Sequence, residues 1–92
     1  MIKVKMNPDK FRAEALDDEK IIGLCQYKIN GDVLDVYHTE VDKAYGGKGL
    51  AGKLLDQVVD FARAEKKKIY PTCSYVLKKF DQDESYKDLD AR

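Results

Sequence analysis

Metal ligands are scarce in this chain: it has one histidine and two cysteines in 92 residues. His38 stands alone, and Cys25 and Cys73 lie far apart, so no usual zinc site can be read from it. Excess charge is missing as well. The 17 basic and 17 acidic side chains cancel, which argues against a dedicated nucleic-acid binder, since such a protein carries a basic surplus. No apolar run is long enough to span a bilayer, so no membrane partner is expected. The opening "MIKVKMNPDK" has no apolar stretch of the secretory kind. The expected compartment is therefore the cytoplasm, with both cysteines reduced. What the chain does have is 37% charged residues and enough length for one small domain with one core over residues 1–92.

Apolar periodicity divides the chain in two. Alternation over residues 11–16, 21–29 and 33–41 predicts three strands. Asn30-Gly31 between the last two marks a hairpin turn, so the three should form an antiparallel meander. Residues 1–6 offer a short edge strand. In the second strand Ile21, Gly23, Cys25, Tyr27 and Ile29 share a face, which makes Cys25 a core residue. In the third, strict alternation places Leu34, Val36, His38 and Glu40 together. After residue 50 the period changes. Ala51, Leu54, Leu55, Val58, Phe61 and Ala62 recur at helical spacing, and Lys66-Lys67-Lys68 suits the negative end of the helix dipole. Residues 69–72 read as a short strand and 74–80 as a short helix. The polar tail from residue 81 has Tyr86 and Leu89 as anchors.

Four glycines fall within residues 46–52, where the alternation gives way to the helix. Strand, glycine turn, helix is a recipe for anion binding. The first N–H groups of a helix are unpaired, its dipole is positive there, and glycine admits close approach. A tight turn alone would need only one glycine. Although residues 47–52 match G-x-G-x-x-G, a dinucleotide site needs a parallel βαβ unit and an acid about twenty residues on. Here the preceding strand closes a meander, and Lys66 to Tyr70 occupy the place of the acid. A triphosphate site needs Gly-Lys-Ser/Thr, which does not follow.

Gly46-Gly47-Lys48-Gly49-Leu50-Ala51 aligns with the Gln/Arg-x-x-Gly-x-Gly/Ala motif of the GCN5-related N-acetyltransferases (GNAT). "HTEV" at His38, "GKG" at Gly47 and "PTCSYV" at Pro71 occur in that order, and the chain resembles a short GNAT-like subfamily of about this length. The resemblance covers residue 11 to about 89. It departs from the family at Gly46, where Arg or Gln is usual; Lys48 or Lys53 could restore the charge.

The resemblance implies a minimal α+β fold: an antiparallel meander, a glycine loop, a long helix, a strand returning beside the third, and short C-terminal helices. It implies acetyl-CoA as co-substrate, a primary amine as acceptor, and no metal. The pyrophosphate would sit on Gly46, Gly47, Lys48, Gly49, Leu50, Ala51, Gly52 and Lys53, and pantetheine on main-chain groups of Thr39, Glu40 and Val41. A main-chain N–H of that strand would polarise the thioester carbonyl. His38 is then the candidate base for the amine proton. Cys73, just before a helix, is the candidate to protonate the CoA sulfur or accept the acetyl group. Glu40 offers a water-relayed base, Tyr70 and Tyr75 substitute acids, and Lys78 and Lys79 contacts to the 3′-phosphate. The subfamily lacks the N-terminal helices that shape the acceptor pocket in larger relatives. Two readings stay open on that account: a homodimer, in which a second subunit supplies the missing wall, and a non-catalytic acyl-CoA-binding or regulatory module.

Overall fold

A computed structural model describes all of residues 1–92. Five strands, β1 (Ile2–Asn7), β2 (Arg12–Asp17), β3 (Lys20–Asn30), β4 (Val33–Val41) and β5 (Lys68–Pro71), form one sheet in the order β1-β2-β3-β4-β5. The first four are antiparallel neighbours, and β5 returns parallel to β4 after helix α1 (Leu50–Ala64). Helix α2 (Ser74–Gln82) and a 3-10 helix (Glu84–Leu89) complete the chain. This is the expected α+β arrangement, edge strand included. No helix is long and apolar enough to cross a membrane.

The hairpin differs from expectation in one detail. Asn30 pairs with Val33 as the end of β3, so Gly31 and Asp32 form the loop, and Gly31 supplies the positive φ of 60°. That is the glycine-first pattern of a two-residue hairpin.

One face of α1 supplies Leu50, Leu54, Leu55, Val58, Val59 and Ala62 to the core. They pack on Ala13, Ala15, Cys25, Tyr27, Leu34, Val36 and Ile69 of the sheet. Small residues let the helix come close. A Cβ at Gly23 would stand 3.1 Å from the Glu40 carbonyl oxygen and 3.3 Å from Leu54 Cδ1, so even a methyl group would make its neighbours give by a few tenths of an ångström. From α2, Val76 and Phe80 join the same core, and Tyr86 stacks on Phe80 with ring centroids 5.0 Å apart.

Two β-bulges break the strict alternation. The one in β4 changes the site. Val36 pairs with Tyr27 and His38 with Gln26, which leaves Tyr37 as the extra residue. An extra residue inverts the parity of everything beyond it. Leu34 and Val36 face α1, but past Tyr37 the residues paired with Cys25 and Gly23 are Thr39 and Val41. His38 and Glu40 therefore turn to the opposite, exposed face. The expectation that His38 and Glu40 share a face with Leu34 and Val36 is corrected on this point.

Candidate functional site

The strands β4 and β5 part early. Their pairing covers only residues 33–36 of β4. Pro71, opposite Val36, has no N–H with which to continue the ladder. The Cys73 N–H donates to the Val36 carbonyl at 2.9 Å, and the chain then turns into α2. From His38 to Val41, β4 has a neighbour on the β3 side alone. The resulting gap opens beside Thr39, whose hydroxyl lies 3.6 Å from Cys73 Sγ. A cavity of about 270 Å³ opens beside this end of β4, between Ile21 to Leu24 and Glu40 to Asp42.

The loop is built from its anchors inward. Asp42 caps a 3-10 turn (Lys43–Tyr45) by accepting from the Ala44 N–H at 2.9 Å. Tyr45 Oη donates to Asp17 Oδ2 at 2.6 Å, tying the turn to the end of β2. Gly47 and Gly49 take φ of 78° and 71°, a region that strongly favours glycine. A Cβ at either would meet nothing within 4 Å, so these glycines serve backbone shape and leave open space above it. Gly46 is extended at φ −64° and requires no glycine conformationally. The first hydrogen bond of α1 runs from the Lys53 N–H to the Gly49 carbonyl at 3.2 Å. The N–H groups of residues 47–52 donate to no protein acceptor, and no side chain caps the helix. The loop thus presents unpaired donors at the positive end of a four-turn helix, a fit for a phosphate-type anion. Lys48 and Lys53 are exposed beside it, whereas Leu50 is buried and Ala51 and Gly52 are half-buried.

Cys73 sits at the N-cap of α2. Its Sγ is 3.6 Å from Thr39 Oγ1, which is itself 3.5 Å from Cys25 Sγ. Burial alone would raise the Cys73 pKa. The N–H groups of Val76 and Tyr75 and both the hydroxyl and N–H of Thr39 outweigh it and hold the thiol below its ordinary value. Burial pushes Cys25 the other way, to about 11. His38 is not among the partners of Cys73. Its Nε2 lies 3.6 Å from Glu40 Oε1 on the exposed face.

The structure thus brings Thr39 and Cys73 together and turns His38 to the other face of the sheet, away from the thiol. Tyr75, half-buried on α2, stands within 3.6 Å of the position a Cβ would take at Gly52; burial first, then Asp56, raise its phenol pKa. Tyr70 is exposed on β5, between the buried Ile69 and Pro71. Two contributions escaped the sequence reading. Strict alternation puts the Thr39 side chain on the face opposite Leu34 and Val36, whereas the bulge turns it to theirs, and the Asp17–Tyr45 tie joins residues that no local pattern links.

Comparison with known proteins agrees with this fold. A family model described as GCN5-related N-acetyl-transferase matches residues 10–89. Protein NATD1 of Gallus gallus is 41% identical over 60 residues, which cover 65% of this chain and 54% of that protein. NATD1 of Homo sapiens is also 41% identical, over 52% of its length. The chain thus spans about half the length of these curated relatives. The solution structure of a GCN5-like protein from Staphylococcus aureus superposes with a TM-score of 0.76 at 26% identity, covering 96% of this chain and 86% of that one. PaiA N-acetyltransferase of Thermoplasma acidophilum, solved in complex with coenzyme A, shares the fold at a TM-score of 0.61 and 16% identity, over 77% of this chain and 48% of its own. With the family model spanning β2 to β5, the glycine loop and both α-helices, the chain belongs to the GCN5-related N-acetyltransferase family.

Proposed function

We propose that the chain is an acetyl-CoA-dependent N-acetyltransferase acting on a primary amine. The observation that carries this is the row of unpaired N–H groups over residues 47–52, continuous with the open edge of β4. Those donors suit the pyrophosphate of acetyl-CoA. The main-chain groups of Thr39, Glu40 and Val41 suit its pantetheine arm, which would carry the thioester toward Cys73. The Thr39 N–H, which helps to lower the Cys73 thiol, would polarise a carbonyl in the gap. Cys73 either protonates the departing sulfur or takes the acetyl group as its own thioester. His38, with Glu40 beside it, would receive the amine proton on the open side of the sheet.

A second reading is favoured by one observation. The link from β1 to β2 is a single 3-10 turn (Pro8–Lys10), and the face bearing His38 is exposed. A face without a wall suits a non-catalytic acyl-CoA-binding module, or an enzyme whose acceptor pocket is completed by a second subunit. Incubation with acetyl-CoA and a panel of primary amines separates these readings. An amine-dependent release of free CoA, with an acetylated amine in the mass spectrum, supports transfer. Acetyl on Cys73 in the intact mass identifies the covalent route. Saturable binding with no release for any amine supports the module.

A further inference from the structure

The Thr39 hydroxyl lies between two sulfurs and has one proton to give. The Cys73 S–H points to Thr39 Oγ1 at 3.6 Å, and the Thr39 O–H points onward to Cys25 Sγ at 3.5 Å. The three groups come from three elements, α2, β4 and β3. They meet because the Tyr37 bulge turns Thr39 inward, opposite Cys25. Cys25 is fully buried, and Thr39 and Cys73 are partly so.

We propose that Thr39 is a positioning residue for Cys73, its hydroxyl reversing from Cys25 to Cys73 when the Cys73 thiol ionises. The Cys73 proton leaves to solvent or to a base. The hydroxyl then rotates to donate to the thiolate, and the Cys25 S–H turns to donate to Thr39 Oγ1. No bond other than Cys73 S–H breaks, and each hydrogen bond lost is replaced. Cys25, which burial keeps protonated, parks the hydroxyl while Cys73 is neutral and supports it when Cys73 is charged. The titratable groups facing the Cys73 thiol are Cys25 on β3 and Tyr75 on α2, with Asp56 of α1 acting on Tyr75. Lys79 Nζ lies over the Tyr75 ring at 5.9 Å, and the groups that lower the thiol are the N–H groups of Val76, Tyr75 and Thr39 and the Thr39 hydroxyl. The inference concerns the ionisation of Cys73 and stands or falls independently of acetyl transfer.

Alkylation of Cys73 by iodoacetamide, followed by peptide mass spectrometry across pH, tests it in the full chain. Thr39→Val keeps the shape and removes the hydroxyl. Its alkylation midpoint should rise by about one pH unit, the scale of one charge-assisted hydrogen bond. Thr39→Ser should return the midpoint close to that of the unsubstituted protein. The midpoint is read apart from the plateau rate, because a mere change in access moves the plateau only. If Thr39→Val fails to fold, Thr39→Ala removes the same hydroxyl with less bulk. An unshifted midpoint in a folded Val or Ala variant overturns the proposal, as does a Ser variant that behaves like Val.

Discussion

A single residue decides which side chains meet in the gap. Tyr37, unpaired in β4, puts Thr39 rather than His38 beside Cys73. The two cysteines then differ by environment rather than by type. Cys73 is half-buried with helix-terminal N–H groups and a hydroxyl around it, while Cys25 is fully buried and has the Thr39 hydroxyl as its one hydrogen-bond partner. Near neutral pH Cys73 should be alkylated about a hundredfold faster than Cys25, since the thiolate is the reactive form and one thiol is lowered while the other is raised to about 11. Acetyl-CoA should protect Cys73, because its acyl end would occupy the same gap. Peptide mass spectrometry after timed labelling measures both effects. Equal, slow labelling of the two thiols would contradict the environments described.

At the scale of elements, the junction of β4 and α1 combines a conformational demand with an electrostatic one. Gly49 is the N-cap of α1 at φ 71°, and no neighbouring atom stands within 4 Å of where its Cβ would be. Alanine there meets no clash within the protein, so its stability cost is the left-handed backbone alone, about 1–2 kcal/mol. The same methyl would stand in the open space over the loop. Gly49→Ala should therefore remain folded, with a modestly lower thermal midpoint, and bind CoA at least tenfold more weakly by calorimetry. Valine adds β-branching at positive φ and is the less clean probe. Unchanged CoA affinity in a folded Gly49→Ala would reduce the loop to a turn.

Across the whole molecule, α1 covers one face of the sheet and leaves the face that carries Glu14 and Leu24 uncovered by helices. There Glu14 is 4% exposed and accepts from Arg12 Nε at 2.7 Å and Asn7 Nδ2 at 3.2 Å. Burial is the largest influence on this carboxyl and raises its pKa, but the Arg12 and Asn7 bonds outweigh it and hold the group below its ordinary value. Asp17 is lowered too, first by the Tyr45 hydroxyl. A carboxyl depressed in the folded state contributes stability that is complete above its unfolded pKa, near 4, and is lost as pH falls through the folded value. The urea midpoint should accordingly drop below about pH 4. Arg12→Ala should cost about 2 kcal/mol at pH 7, less than a fully buried pair because Arg12 is partly exposed. At pH 4, where Glu14 without its partner takes up a proton, the cost should be smaller. An equal loss at both pH values would mean that Arg12 acts through packing alone.

Much of this was legible in the amino-acid order, because it depends on neighbours along the chain. Alternating and helical periods mark β2, β3, β4 and α1, since burial repeats with the local geometry of each element. Glycine spacing at 46–52 marks the loop, since positive φ and close approach are properties of one residue at a time. Cys73 before α2 is local in the same sense. Tertiary structure decided what depends on partners distant in sequence. Whether β4 contains a bulge is settled by its pairing with β3, and that pairing sends His38 outward and Thr39 inward. The Asp17–Tyr45 tie and the Cys25–Thr39–Cys73 contact join elements that periodicity treats independently. A strand pattern cannot record a one-residue slip that only its neighbour imposes, and that slip chose the residues of this site.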